Sequence, residues 1–290
     1  MARSTFNSAD SLVEYLDLET LEENLFRGQS PQVGWQRIFG GQVIGQALVA
    51  AQRTVAPDRG VHSLHGYFMR PGDPSTPIIY DVERIRDGSS FSTRWVVAIQ
   101  HGKAIFSLQA SFHKDEDGLE YQEGMPDVPA PEDLPGPDEI QAAFLEGAPE
   151  HIVKYWRTER PIEVRPVIME HYFTTKSLPP IQHAWVRTLG PVPDDRIVQA
   201  SVLAYLSDML LLDTSLFSHG RSVFSKDIQA ASLDHAMWFH RRFDFSDWLL
   251  YTMDSPSTSG ARGFSRGSLY ARDGRLIASV AQEGLIRERD

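Results

Sequence analysis

The chain has 290 residues, 41% hydrophobic and 23% charged, which is apolar material enough for two globular domains of ordinary size. Its formal charge of −11 argues against a general binder of nucleic acid or anionic membrane. The lack of any cysteine excludes disulfides, thiolate metal sites and a cysteine nucleophile. No stretch approaches the roughly 20 apolar residues of a membrane helix. The first ten residues lack the apolar centre of a secretory signal, and Arg287-Glu-Arg-Asp290 is not a peroxisomal address. A cytoplasmic protein without nucleic-acid or membrane partners is expected. A local basic patch for a phosphorylated ligand stays open, with Arg262, Arg266, Arg272 and Arg275 as its candidates.

In chain order, the first strong element is a helix over residues 41–54, apolar around much of its circumference and therefore enclosed by protein. Its small residues Gly41, Gly45, Ala47, Ala50 and Ala51 predict a thin helix in close contact with a sheet. Alternation and β-branched or aromatic content then predict strands over 62–70, 78–86, 91–100 and 103–113. Residues 114–160 turn acidic and proline-rich, as in Pro129-Ala-Pro-Glu-Asp-Leu-Pro-Gly-Pro137, and read as a linker with a short amphipathic helix near 139–156. A second enclosed helix is predicted over 194–212, followed by strands over 234–242, 248–254, 263–272 and 275–287. Short turns between consecutive strands predict antiparallel sheets.

The two halves repeat one another. Gly102-Lys-Ala-Ile-Phe-Ser107 parallels Gly274-Arg-Leu-Ile-Ala-Ser279, each after a turn signal; Phe91-Ser92 parallels Phe264-Ser265; and Ser63-Leu64-His65 parallels Ser232-Leu233-Asp234-His235. The repeat predicts two copies of one fold, each an antiparallel sheet wrapped around a central helix.

Several motifs suggest chemistry. Gly263-Phe-Ser-Arg-Gly267 fits the nucleophile elbow G-x-S-x-G, but hairpin residues rather than a helix follow it, and no histidine lies beyond His240. Gly40, Gly41 and Gly45 lack the lysine–serine pair and the βαβ context of a phosphate loop. The helix they open nevertheless offers unpaired N–H groups to an anionic oxygen. The ten histidines form no metal-ligand pattern; His235 and His240 fall on opposite faces of a predicted strand. Asp208 is the residue that local chemistry singles out, a carboxylate near the end of an otherwise apolar helix. Periodicity leaves open whether it points inward or lies outward beside Ser201 and Ala204.

A family resemblance covers essentially the whole length. It is carried by Leu25-Phe-Arg-Gly-Gln29, Phe39-Gly-Gly-Gln-Val-Ile-Gly-Gln46, His65-Gly-Tyr-Phe-Met-Arg-Pro-Gly-Asp73, Pro77-Ile-Ile-Tyr-Asp-Val82 and Arg86-Asp-Gly-Ser-Ser-Phe91. Asp234-His-Ala-Met-Trp-Phe-His240, Trp248-Leu-Leu-Tyr251, Ala261-Arg-Gly-Phe264 and Gln282-Glu-Gly284 continue it. The chain resembles the acyl-CoA thioesterase II family. The resemblance implies an α+β tandem, or double, hotdog: domains over 1–115 and 161–290, a linker over 116–160, and hydrolysis of fatty acyl-CoA by an activated water. It implies a catalytic set on Asp208, Ser232 and Gln282, all in the second half, and no cofactor or metal. The matched segments also nominate Gly41, Gln42, Phe68, His235, Arg262 and Gly263 for substrate binding. The start of the Gly41 helix is the expected oxyanion donor. A homo-dimer or homo-tetramer is expected. A hydratase using Asp213 and His219 is the alternative.

Overall fold

In the computed structural model the described residues are 6–34, 36–144, 153, 157–172, 174–223 and 225–289. The first half runs α1 (Ala9–Leu16), β1 (Glu19–Glu22), β2 (Leu25–Gly28), α2 (Gly40–Gln52), β3 (Arg59–Phe68), β4 (Ile78–Asp87), β5 (Phe91–Gln100) and β6 (Lys103–Lys114). After α3 (Pro137–Phe144) come β7 (Ile162–Pro166), β8 (Ile181–Thr188) and α4 (Arg196–Ser207). A 3-10 turn (Asp213–His219) leads to β9 (Ile228–Ser232), β10 (Asp234–Phe239), β11 (Leu249–Ser259), β12 (Arg262–Ala271) and β13 (Leu276–Glu288). Most of the predicted 139–156 helix lies outside the described residues.

The strands form one 13-stranded antiparallel sheet in the order β1-β2-β4-β5-β6-β3-β10-β13-β12-β11-β8-β7, with β9 added beside β13. Read outward from its centre, β3-β6-β5-β4 on one side matches β10-β13-β12-β11 on the other. The centre is the pairing of β3 with β10, in which Met237 faces Leu64. The repeat in the sequence is therefore a repeat in topology. The turn glycines Gly102 and Gly274 sit at equivalent hairpins with φ of +69° and +90°, backbone that only glycine adopts without strain.

The two helices lie side by side. A Cβ on Gly41 would stand 2.2 Å from the Tyr205 carbonyl oxygen, and one on Gly45 3.0 Å from that of Ser201. The glycines thus thin α2 against the backbone of α4, not against the sheet as their composition alone suggested. One apolar core spans both halves, with Ile44 and Leu48 of α2, Leu203 and Leu206 of α4, and Leu64 and Met237 of the central strands all buried. Each such side chain contributes about 1.5–3 kcal/mol by burial. The first part of the linker, residues 116–130, runs without helix or strand, and the segment up to Leu134 covers the outer face of the second half. There Met125, Val128 and Leu134 pack on Trp185, Trp248 and Tyr270, and the Trp185 indole donates to the Pro129 carbonyl at 2.8 Å.

Candidate active site

Asp208 caps the C-terminal end of α4, where the helix leaves the core. Its side chain is 4% exposed, which settles the orientation that periodicity left open. Three groups fix it. Gln282, from the middle of β13, donates from Nε2 to Asp208 Oδ1 at 2.6 Å. The Gly41 N–H, at the start of α2, donates to the same carboxylate. Gly40 packs so closely that a Cβ there would lie 2.6 Å from Asp208 Oδ2 and 2.8 Å from Phe68 Cζ. The carboxylate is thus held between the two halves of the chain: its own residue belongs to the second, the backbone that cradles it to the first.

Burial pushes the Asp208 carboxyl up from 3.8 to about 7, with the Gln282 and Gly41 hydrogen bonds pulling the other way. The N-terminal end of α2 supports the anion with its dipole as well as its N–H. Consequently Gly41, expected to face an oxyanion, is committed to Asp208, and the next amide, Gln42 N–H, bonds the Phe39 carbonyl at 3.2 Å.

Behind the carboxylate, Gln282 and His235 are both 1% exposed. The Gln282 amide also reaches His235 Nδ1, at 3.3 Å, while His235 Nε2 meets Ser207 Oγ at 2.8 Å. Ser207 in turn donates to the Ala204 carbonyl at 2.9 Å. These partners define the ring: Nδ1 accepts from the amide and Nε2–H donates to the hydroxyl. Burial holds the imidazole neutral, its pKa pushed down to about 3. His235, a substrate-binding candidate by motif, therefore stands behind the site as a support.

In front of Asp208 lies a cleft of about 490 Å³. Ser232, at the end of β9, and Phe68, at the end of β3, join Asp208 in its wall. Among the described residues the Ser232 hydroxyl makes no side-chain hydrogen bond, so it is available to whatever enters. The remaining motif candidates lie elsewhere. Gln42 is 2% exposed and donates to the Gln29 carbonyl and Ser30 Oγ at 3.2 and 2.8 Å, tying a loop to α2. Arg262 pairs with Glu283 at 2.9 Å, and Gly263 lies so close to Ser215 that a Cβ would meet its Oγ at 2.4 Å. Neither Gln42, Arg262 nor Gly263 reaches the cleft wall.

The expected basic patch is also dispersed, since Arg266 pairs with Asp254, Arg272 with Glu132, and Arg275 with Asp273. Of the charged groups that line the cleft, Arg37 and Arg70 at its exposed rim were not singled out by sequence, whereas Asp213 inside it was named only as half of a hydratase pair. The Asp213 carboxyl is raised to about 7 by burial, accepts from the Val223 N–H, and leaves Oδ1 without a partner among the described residues. His219 is exposed, so the Asp213–His219 pair that a hydratase needs is not assembled. Ser265, the elbow serine, sits mid-strand in β12 opposite Gln282. No group of three metal-ligating side chains occurs among the described residues, and no helix there is long and apolar enough to cross a membrane.

Two family models match the chain: acyl-CoA thioesterase N-terminal domain over residues 27–113 and acyl-CoA thioesterase over 153–285. Acyl-CoA thioesterase 2 of Haemophilus influenzae is 41% identical over 278 residues, covering 96% of this chain and 97% of that protein. Acyl-coenzyme A thioesterase 8 of Mus musculus is 45% identical over 94% of this chain and 87% of its own length. Among solved structures, the acyl-CoA thioesterase II TesB2 of Mycobacterium marinum superposes with a TM-score of 0.78 at 41% identity, covering 96% of this chain and 99% of that one. A hot dog fold protein from Alicyclobacillus acidocaldarius gives 0.76 at 20% identity over 97% of this chain and 99% of its own, a likeness of fold alone. With relatives of this identity matching nearly end to end, the chain belongs to the acyl-CoA thioesterase family and is a thioester hydrolase.

Proposed function

We propose that the chain hydrolyses fatty acyl-CoA to free fatty acid and CoA, with Asp208 as the base that activates a water in the cleft. The observation that carries this reading is the position of Asp208: buried, pinned by Gln282 and Gly41, and open on one side to the cleft shared with Ser232. A carboxyl with pKa about 7 is matched to proton transfer at neutral pH. The water attacks the thioester carbonyl as Asp208 takes its proton. The tetrahedral intermediate collapses, the C–S bond breaks, and the departing thiolate takes the proton up. Ser232, which lines the same cleft, orients the water, which converts lost freedom into rate. Gln282 acts one step back, since both of its N–H groups are engaged by Asp208 and His235. An acyl-Ser232 intermediate is disfavoured, because among the described residues no base is hydrogen-bonded to that hydroxyl.

The reading includes two hotdog units, 1–115 and 161–290, joined by the 116–160 linker; the mirrored strand order and the two separate family matches support it. It also includes self-association through the outer sheet face, where Tyr67, Trp95 and Trp238 are exposed. Light scattering that gives only monomer would reject that part.

The test of the reaction is thiol release from a panel of acyl-CoAs by wild type and Asp208→Asn at matched folding. Release by wild type that collapses in the variant is expected. No release from any chain length would overturn the reading.

A further inference from the structure

We infer that Arg37 and Arg70 form the subsite for the phosphates of CoA, so that the substrate enters over this rim with its acyl chain directed toward Leu210, Leu212 and Val223. The inference rests on the acyl-CoA reading of the cleft and adds its direction. In a chain of net charge −11, four arginines of the second half that might have formed a basic patch are neutralised: Arg262, Arg266, Arg272 and Arg275 each hold a carboxylate. Arg37 and Arg70 are exposed, line the cleft that contains Asp208, and pair with no carboxylate among the described residues. Two unpaired guanidinium groups at the mouth of one cleft suit a polyanion, because each presents a planar fork of donors that matches a phosphate. Arg70 is oriented beforehand: its Nη1 donates to the Ala104 carbonyl at 2.6 Å, leaving its other N–H groups for a ligand.

The order of groups along the cleft fixes the direction. From Ser232 the chain passes to Leu233, whose carbonyl accepts the Phe68 N–H at 2.9 Å. From Phe68 it passes to Met69 and Arg70, whose N–H groups both bond the Ile105 carbonyl. Arg70 therefore lies on one side of Ser232, and Arg37 joins it there because the neighbouring Ile38 N–H donates to the Gly72 carbonyl at 3.1 Å. On the other side β9 runs back through Ala231 and Ala230; Leu212 and the Ala231 carbonyl both lie against Gly284, and Val223 is tied to the Asp213 carboxyl by its N–H, so apolar side chains flank that carboxyl in the cleft wall. Phosphates at the rim and thioester at Asp208 leave that part of the wall for the acyl chain. A charge pair at an exposed rim is screened by salt, so its contribution to binding weakens as ionic strength rises.

The experiment compares wild type with the double variant Arg37→Ala, Arg70→Ala. It measures hydrolysis of acyl-CoA and of the matching acyl-pantetheine, which lacks the nucleotide phosphates, and calorimetric binding of a non-hydrolysable acyl-CoA thioether. The expected result is at least a ten-fold fall in the ratio of kcat/KM for acyl-CoA to that for acyl-pantetheine. The fall should be carried by KM, with a matching loss of thioether affinity and a flatter salt dependence. An unchanged ratio, or equal thioether affinity in both proteins, overturns the inference. A loss confined to thioesters of acyl carrier protein also overturns it, in favour of docking by an acidic protein. The binding arm separates the two claims: arginine-dependent thioether binding without turnover retains the subsite and rejects the hydrolase reading, whereas turnover indifferent to the arginines does the reverse.

Discussion

The Gln282 amide bridges Asp208 and His235, donating from one nitrogen to Asp208 Oδ1 at 2.6 Å and to His235 Nδ1 at 3.3 Å. The bridge fixes the carboxylate's position and biases its protonation, because a donor to the charged form favours that form. Replacing Gln282 by Leu removes the donor, so the Asp208 carboxyl should rise above about 7. We expect kcat to fall on the order of 100-fold, as for a misplaced catalytic group, with the acid limb of the pH–rate profile moved to higher pH. A drop in kcat with the limb unmoved would mean that Gln282 only fills space.

The same carboxyl sets the pH dependence of the wild type. Asp208 must be ionised to accept a proton, and its pKa lies at about 7. Activity should therefore climb through neutrality and level off about one to two units above it. His235 titrates near 3 and contributes no limb in this range. Replacing it by Ala should depress kcat by loosening Gln282 and leave the limb close to its original position. A limb that disappears with His235 would instead make the imidazole the base.

Strands and enclosed helices were legible in the sequence because alternation and turn chemistry are local. The predicted 91–100 strand coincides with β5, and the mirrored strand order was written in the repeat of Gly102-Lys-Ala-Ile with Gly274-Arg-Leu-Ile. The strands β1, β2, β7, β8 and β9 went unread; all but the eight-residue β8 have only four or five residues, too few for alternation to stand out. The joining of the halves by β3 and β10, and the contact of Gly41 with the Tyr205 carbonyl, are long-range facts that no local window contains. In the site, Asp208 was visible as a charge in an apolar helix, whereas Ser232 and Gln282 became candidates only through resemblance. Asp213 was noticed as half of a hydratase pair. Its seat in the cleft wall depends on the path of the 3-10 turn, which spacing does not reveal.

Both buried carboxyls bear on stability. Asp208 and Asp213 are each raised from 3.8 to about 7, so folding favours their protonated forms. The sign follows from proton uptake: between pH 4 and 7 the native state holds protons that the unfolded chain has released, and stability falls as pH rises. The contribution is fully present below about pH 4 and gone above about pH 7, for a change of about 4 kcal/mol per group. Asp213→Asn should flatten this slope and raise the midpoint of urea unfolding at pH 8 relative to wild type. A slope identical to wild type would show that Asp213 is ionised in the native state.

Gly40 and Gly41 are neighbours that should fail in different ways when replaced by Ala. At Gly40 the new methyl meets Asp208 Oδ2 and the Phe68 ring, both side-chain atoms of the cleft wall. These can shift, so the chain should still fold, with the carboxylate displaced and turnover reduced on the order of 100-fold. At Gly41 the methyl meets the Tyr205 carbonyl at 2.2 Å, a backbone atom inside a packed helix pair. Relief there requires α2 and α4 to separate, an overpacking cost of about 1–3 kcal/mol or more. Thermal unfolding of both variants beside their kcat values would separate the two effects. A Gly40→Ala protein that keeps full activity would mean that Asp208 tolerates displacement, and the cradle around it would lose its catalytic meaning.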